Sequence, residues 1–157
     1  MSAPKIWHHC NIYSTAIIGE DTTIGSYVEI GDYVEIGEGC KIEAFCFIPE
    51  GVEIRDHVFV GPGTVFCNDK HPDLSEEFVP EKTLVRDWAV IGANCTILPG
   101  VTIGHKAIVG AGSVVTKDIP LGETWCGNPA KKIELNKEQF ICPLGKPKCD
   151  HCGYCEK

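Results

Sequence analysis

A short polar run, Asn68-Asp69-Lys70-His71 closed by Pro72, holds the residue types that moving a proton to or from a bound substrate requires. Imidazole exchanges its proton near neutrality, so His71 is the candidate general base, and Asp69 or another carboxylate is the candidate to orient it. A solvated surface loop is the plainer reading of the same residues. No Ser-His-Asp sequence motif accompanies the run, and direct attack by a substrate nucleophile needs no covalent enzyme intermediate.

A second group lies further along: Cys142, Cys149, Cys152 and Cys155, with six, two and two residues between them. Thiolates so spaced suit tetrahedral zinc; Cys-x2-Cys-x2-Cys also fits iron–sulfur ligation, and His151 can replace one sulfur. Zinc is the expectation, because nothing else in the chain points to redox chemistry; an unstructured tail of free thiols is the alternative. The histidines argue against a catalytic metal. His57 and His105 fall on different repeats, and His8 and His9, if adjacent on a strand, point to opposite faces.

What positions these groups is a strict period of six. Ile6, Ile12, Ile18, Ile24, Ile30, Ile36, Ile42, Ile48, Ile54 and Val60 recur without a break, Phe66 ends the run, and Val85, Ile91, Ile97, Ile103, Val109 and Val115 resume it, with Leu121 as a weaker last rung. Two residues before each rung stands a small or β-branched residue, among them Cys10, Cys40, Cys46 and Cys95, expected to act as small hydrophobes. Neither a helix nor an ordinary strand repeats every six residues. Alternate strand residues share a face, so both ladders point to one interior. Glycine follows many rungs, as at Gly19, Gly25, Gly61, Gly92 and Gly110, and suits a corner where the chain turns sharply. Three hexads close a triangular coil, and coils stack at roughly 4.8 Å.

The fold class expected is therefore all-β: a parallel β-helix over 1–126 with one protruding loop at 67–84, then a C-terminal extension over 127–157 that carries the cysteine cluster. The loop is the one interruption, since Phe66 and Val85 stand 19 residues apart instead of six. Glu134 to Ile141 can form a short helical turn. Net charge is −8 with no basic cluster, which argues against a nucleic-acid partner. No apolar run is long enough to span a bilayer and no signal peptide is evident, so no membrane partner and a cytoplasmic address are expected.

The stretch from Val60 to Pro72 resembles the loop of nucleotide-sugar N-acetyltransferases of the hexapeptide-repeat family, which act on 3-amino sugars. Pro49-Glu-Gly-Val-Glu-Ile54, the run Ile91 to Gly104, Val109 to Pro120 and Gly127-Asn-Pro-Ala130 are similar too, and the likeness covers roughly residues 12 to 133. The resemblance implies left-handed winding, a homotrimer with sites between neighbouring prisms, and acetyl-CoA as cosubstrate lying along the later coils. It implies that Gly92, Ala93, Gly110 and Ala111 let the pantetheine approach the backbone, with Lys117, Lys131 and Lys132 near the CoA phosphates. Asn68 matches the asparagine that places the sugar amine, and Asp69 and Glu50 fall at the substrate. The activity implied is N-acetylation of a UDP- or dTDP-linked 3-amino sugar in polysaccharide biosynthesis. The order Asp-Lys-His-Pro also resembles O-acetyltransferases of serine and simple sugars. A non-catalytic β-prism scaffold is the alternative of another class.

Overall fold

The structure, a computed structural model, describes residues 2–75 and 77–134. It is a left-handed parallel β-helix of about 7 turns. Two- and three-residue strands build three parallel faces. The first face stacks Lys5–Ile6, Thr23–Ile24, Lys41–Ile42, Phe59–Val60, Val90–Ile91, Ile108–Val109 and Thr124–Cys126. The second stacks Asn11–Ile12, Glu29–Ile30, Phe47–Ile48, Val65–Phe66, Thr96–Ile97 and Val114–Val115. The third stacks Ile17–Ile18, Glu35–Ile36, Val52–Ile54, Thr83–Val85 and Thr102–Ile103. One rung therefore sits directly on another, as Ile24 on Ile42 and Ile36 on Ile54.

The interior is the two ladders. Ile24, Ile30, Ile48, Phe66, Ile91 and Ile97 are wholly buried, and Val28, Val34, Cys40 and Cys46 fill the space between them. The cysteines do more than fill. Each thiol points at a corner carbonyl one coil on: Cys40 Sγ to Arg55 O at 3.0 Å, Cys46 Sγ to Gly61 O at 3.3 Å, Cys95 Sγ to Gly110 O at 3.2 Å. Thr22 and Thr64 occupy equivalent places and donate to Gly37 O and Gly92 O. Any small residue with a hydrogen to give satisfies a carbonyl that a plain hydrophobe would leave without a donor.

Three details depart from the sequence pattern. Ile6 is 47% exposed and Ile12 and Ile18 are half-buried, because the first coil has no coil beneath it among the described residues. Leu121 is no rung: it is 75% exposed, while Ile119, four residues after Val115, is buried and bridges Ile103. The last coil is two residues short, and Trp125 takes the next interior place above Val109. The excursion ends at 82, since Thr83 and Leu84 already lie in the strand Thr83–Val85.

The glycines after the rungs also have a different reason from the one expected. The left-handed backbone falls two residues later, at Asp21, Tyr27, Tyr33, Phe45, His57, Trp88, Asn94 and Lys106, with φ between 55° and 63°. Such a conformation costs a side-chain-bearing residue about 1–2 kcal/mol. A hydrogen bond down the stack accompanies it, as from Phe45 N to Ser26 O at 3.1 Å and from Asn94 N to Pro62 O at 2.9 Å. Glycine is needed after the rung for clearance instead. A Cβ on Gly61 would lie 2.5 Å from the Ala93 nitrogen, and one on Gly92 would lie 2.5 Å from the Ala111 nitrogen.

Past Cys126 the chain turns back, and Lys131–Ile133 pairs antiparallel with Thr124–Cys126. Ala130 is buried there. No helix among the described residues is long and apolar enough to cross a membrane.

Candidate functional site

The excursion leaves the corner between the second and third faces, and its neck is fastened on both sides. Asn68 Nδ2 donates to Glu50 O at 3.0 Å, Glu81 N donates to Asn68 O at 2.9 Å, and Thr83 N donates to Gly51 O at 2.9 Å. The returning strand is clamped from outside: Lys82 Nζ lies 2.6 Å from Glu53 Oε2, and Arg55 pairs with the other oxygen. The hydrogen bond from Lys82, and Arg55 beyond it, hold the Glu53 carboxyl below the usual carboxylate range. Further out the loop is exposed, with Leu74, Phe78 and Val79 turned to solvent.

Beside the neck is an open cavity of about 580 Å³. Cys67, Asp69 and Lys70 line it from the loop, Pro99 and Gly100 from the coil above, and Thr116 to Asp118 from the coil beyond. Asp69 does not reach the imidazole of His71; its Oδ1 accepts the backbone N–H of His71 at 3.0 Å. The carboxylate so fixes the turn that carries His71, whose side chain is exposed and is not among those lining the cavity. Lys70 Nζ lies 3.8 Å from Glu81.

Gly92, Ala93, Gly110 and Ala111 lie on a different edge, the corner between the first and second faces. Among the described residues no carbonyl accepts the N–H of Ala93 or Ala111, so two amides without a backbone partner stand one coil apart, each on a residue whose side chain is only a methyl group. In a single chain this edge and the loop are not brought together. Lys117 separates from the set expected with it. It sits at the loop's corner, lines the cavity, and places Nζ 5.4 Å from the centre of the Trp125 ring. Counting from the rungs Phe66, Ile97 and Val115 already places Lys117 in register with Asn68 and Pro99 on the loop's edge. Lys132 pairs with Glu123 at 2.7 Å, and Lys131 is exposed on the returning strand.

The histidines lie at corners. His8 and His9 occupy a turn, so strand alternation does not separate them; His9 stacks on Tyr27 with ring centres 4.9 Å apart. His57 packs against Trp88 at 4.3 Å, and His105 Nδ1 stands 3.9 Å from Asp87. No cluster of three or more metal-binding side chains occurs among the described residues. Cys142, Cys149, Cys152 and Cys155, with His151 and all but the first residue of the expected turn from Glu134 to Ile141, lie outside the described residues.

Two family models match the chain. "Hexapeptide repeat of succinyl-transferase" covers residues 15–49 and 87–117, and "Bacterial transferase hexapeptide (six repeats)" covers residues 33–68. The protein YvoF of Bacillus subtilis is 40% identical over 90 residues, which is 57% of this chain and 51% of YvoF. The chain thus spans about half the length of that relative. Among solved structures, a maltose O-acetyltransferase from Clostridium difficile has a TM-score of 0.69 at 30% identity, over 76% of this chain and 70% of that one. A GDP-perosamine N-acetyl transferase from Caulobacter crescentus, in complex with CoA and GDP-perosamine, has a TM-score of 0.74 at 24% identity, over 85% and 57%.

Proposed function

The chain belongs to the hexapeptide-repeat transferase family, and on that premise we propose that it moves an acetyl group from acetyl-CoA onto the amine of a UDP- or dTDP-linked 3-amino sugar. The observation that carries the reading is the single insertion into the hexad register: a loop fastened at its neck by Asn68 and Glu81, carrying His71, with an open cavity beside its neck. A scaffold needs no such excursion from its stack.

Acetyl-CoA lies along the edge of Ala93 and Ala111, where unpaired amides and small side chains suit a slender chain with amide groups of its own. Because this edge and the loop belong to different corners, the site is completed between two prisms of a homotrimer. The exposed Leu74, Phe78 and Val79 supply the apolar reach toward a neighbour. The sugar amine is held by Asn68, whose Nδ2 is committed to Glu50 and whose Oδ1 accepts from the amine. Its nitrogen lone pair attacks the thioester carbonyl, the C–S bond breaks as the tetrahedral species collapses, and CoA leaves as the thiolate. His71 takes the proton from nitrogen and returns it to sulfur. Products are the amide and free CoA, formed in the cytoplasm and supplied to polysaccharide assembly.

The GDP-perosamine of the Caulobacter enzyme supports a nucleotide-linked acceptor. The likeness to a maltose O-acetyltransferase favours a second reading, O-acetylation of serine or a simple sugar. Thiol release from acetyl-CoA separates the two. Turnover with a UDP- or dTDP-linked 3-amino sugar and none with serine or maltose is the expected result; the reverse selects the second reading. His71→Ala is expected to lower turnover by about 10²–10⁴. Near-normal turnover in that variant would instead assign the amine proton to the leaving thiolate.

A further inference from the structure

Away from the loop, the early coils of the first face carry a cavity of about 330 Å³ whose chemistry the acetyl-transfer reading does not use. Its cations come from one column. Lys5 stands over Thr23 and Thr23 over Lys41 in parallel register, so two ammonium groups and a hydroxyl point outward from three successive strands. The two lysines start about 10 Å apart, two coil rises, a gap that their stems can close onto one anion. The same three coils offer Asn11, Glu29 and Phe47 on the second face and Ile17, Glu35 and Glu53 on the third. In a chain of net charge −8, lysine occupies the outward strand positions of these coils on the first face alone. The cavity also reaches the corner residues Ser26 and Ala44, whose N–H groups no carbonyl among the described residues accepts. Trp7 forms its other side and is 47% exposed, with Lys5 Nζ 4.6 Å from the ring centre.

We propose that this cavity seats the nucleoside diphosphate of the acceptor, with Lys5, Lys41 and the amides of Ser26 and Ala44 on the phosphates and Trp7 stacked on the base. The proposal rests on the nucleotide-linked acceptor of the preceding section and extends it to a second set of residues. Paired phosphates match separated ammonium groups with outward amides between them. A base presents a flat π-face to an exposed indole, and such stacking is worth enough to hold a base in water. The pair of Lys41 with Glu43, at 2.7 Å, is exposed and worth little, so a phosphate displaces the carboxylate readily. Ser26 and Ala44 share their edge with Ala93 and Ala111, so donor and acceptor lie end to end along one corner.

The test is calorimetric titration of UDP, dTDP and CoA into the full chain, the Lys5→Ala/Lys41→Ala variant and Trp7→Ala, with melting curves to show that each variant is folded. UDP or dTDP is expected to bind the parent chain and to weaken by about tenfold or more in each variant, while CoA binding stays unchanged. Lys5→Arg/Lys41→Arg is expected to restore most of the affinity. Absence of nucleotide binding to the parent chain, or nucleotide binding indifferent to the substitutions, overturns the proposal. Weakening of CoA instead of UDP also overturns it, by giving the seat to the donor. If nucleotide-linked amine is acetylated with unchanged KM in the lysine variant, the seat falls and the acetyl-transfer reading stands. If UDP binds as expected but no acceptor releases thiol, the seat stands and the acetyl-transfer reading falls.

Discussion

The side-chain amide of Asn68 donates to the main-chain carbonyl of Glu50 at 3.0 Å, joining the root of the loop to the coil beneath it. A residue expected to touch substrate is thereby also a fastener, and the role of Glu50 in this contact is played by its backbone. Replacing Asn68 by Ala removes the fastener and, with it, the proposed substrate contact. The loss of one hydrogen bond costs about 1 kcal/mol, too little to unfold the stack. Melting should shift by a few degrees, while limited proteolysis within the loop accelerates and kcat/KM for the amine falls at least about tenfold. Unchanged proteolysis with reduced activity would leave Asn68 as a substrate contact alone.

Ala111 gives a separate test of the donor edge, because its side chain is exposed and its amide has no partner among the described residues. Ala111→Leu places a branched side chain where a slender ligand must lie. The fold has no reason to respond, so melting stays within about 1 kcal/mol of the parent. CoA affinity, read by calorimetry, should fall by about tenfold or more while UDP affinity is retained. Full CoA affinity would move the pantetheine to another edge.

The fold was legible because each hexad repeats one physical requirement. A β-branched rung, a small residue two places earlier and a glycine with no room for Cβ recur together, and the interior from Ile24 to Val115 follows from them. The pattern failed where a neighbour is missing or a coil changes length. Ile6 is apolar by sequence but has no coil beneath it among the described residues, and the four-residue step from Val115 to Ile119 is invisible to a reading that counts in sixes. The candidate site was legible only as a loop carrying residue types able to do the proposed chemistry. That Asp69 would hold the His71 backbone, and that Lys117 would face the loop, depend on turn geometry and on which corner each residue occupies. Composition does not carry that information.

Glu53 makes loop closure sensitive to acid. Its carboxyl is held below the ordinary value of 4.5 by the Lys82 hydrogen bond and by Arg55. A carboxylate depressed in the folded state stabilises it above the unfolded value and loses that contribution as pH falls through the folded value. Melting temperature should therefore decline as pH drops below about 4.5, and Glu53→Gln should flatten that part of the decline. At neutral pH the same variant should lose about 1 kcal/mol, since Lys82 and Arg55 remain hydrated when the carboxylate is gone. An acid limb identical to that of the parent would show that Glu53 is not the sensitive group.

Cys40 and Cys46 set an alkaline limit by the opposite sign. Burial pushes both thiols up to about 11, because the thiolate has no solvent and the proton is needed to reach Arg55 O and Gly61 O. A thiol raised in the folded state contributes fully below its unfolded value of 9.0 and loses that contribution as pH climbs toward 11. Iodoacetamide at pH 8 should thus leave both residues unmodified in the folded chain, as read by peptide mass spectrometry, and label them after denaturation. Between pH 9 and 11 the parent should lose melting temperature faster than a Cys40→Thr/Cys46→Thr variant, in which a hydroxyl keeps the donor, as Thr22 and Thr64 already do. Rapid labelling of Cys40 in the folded chain would mean that the stack opens between these coils.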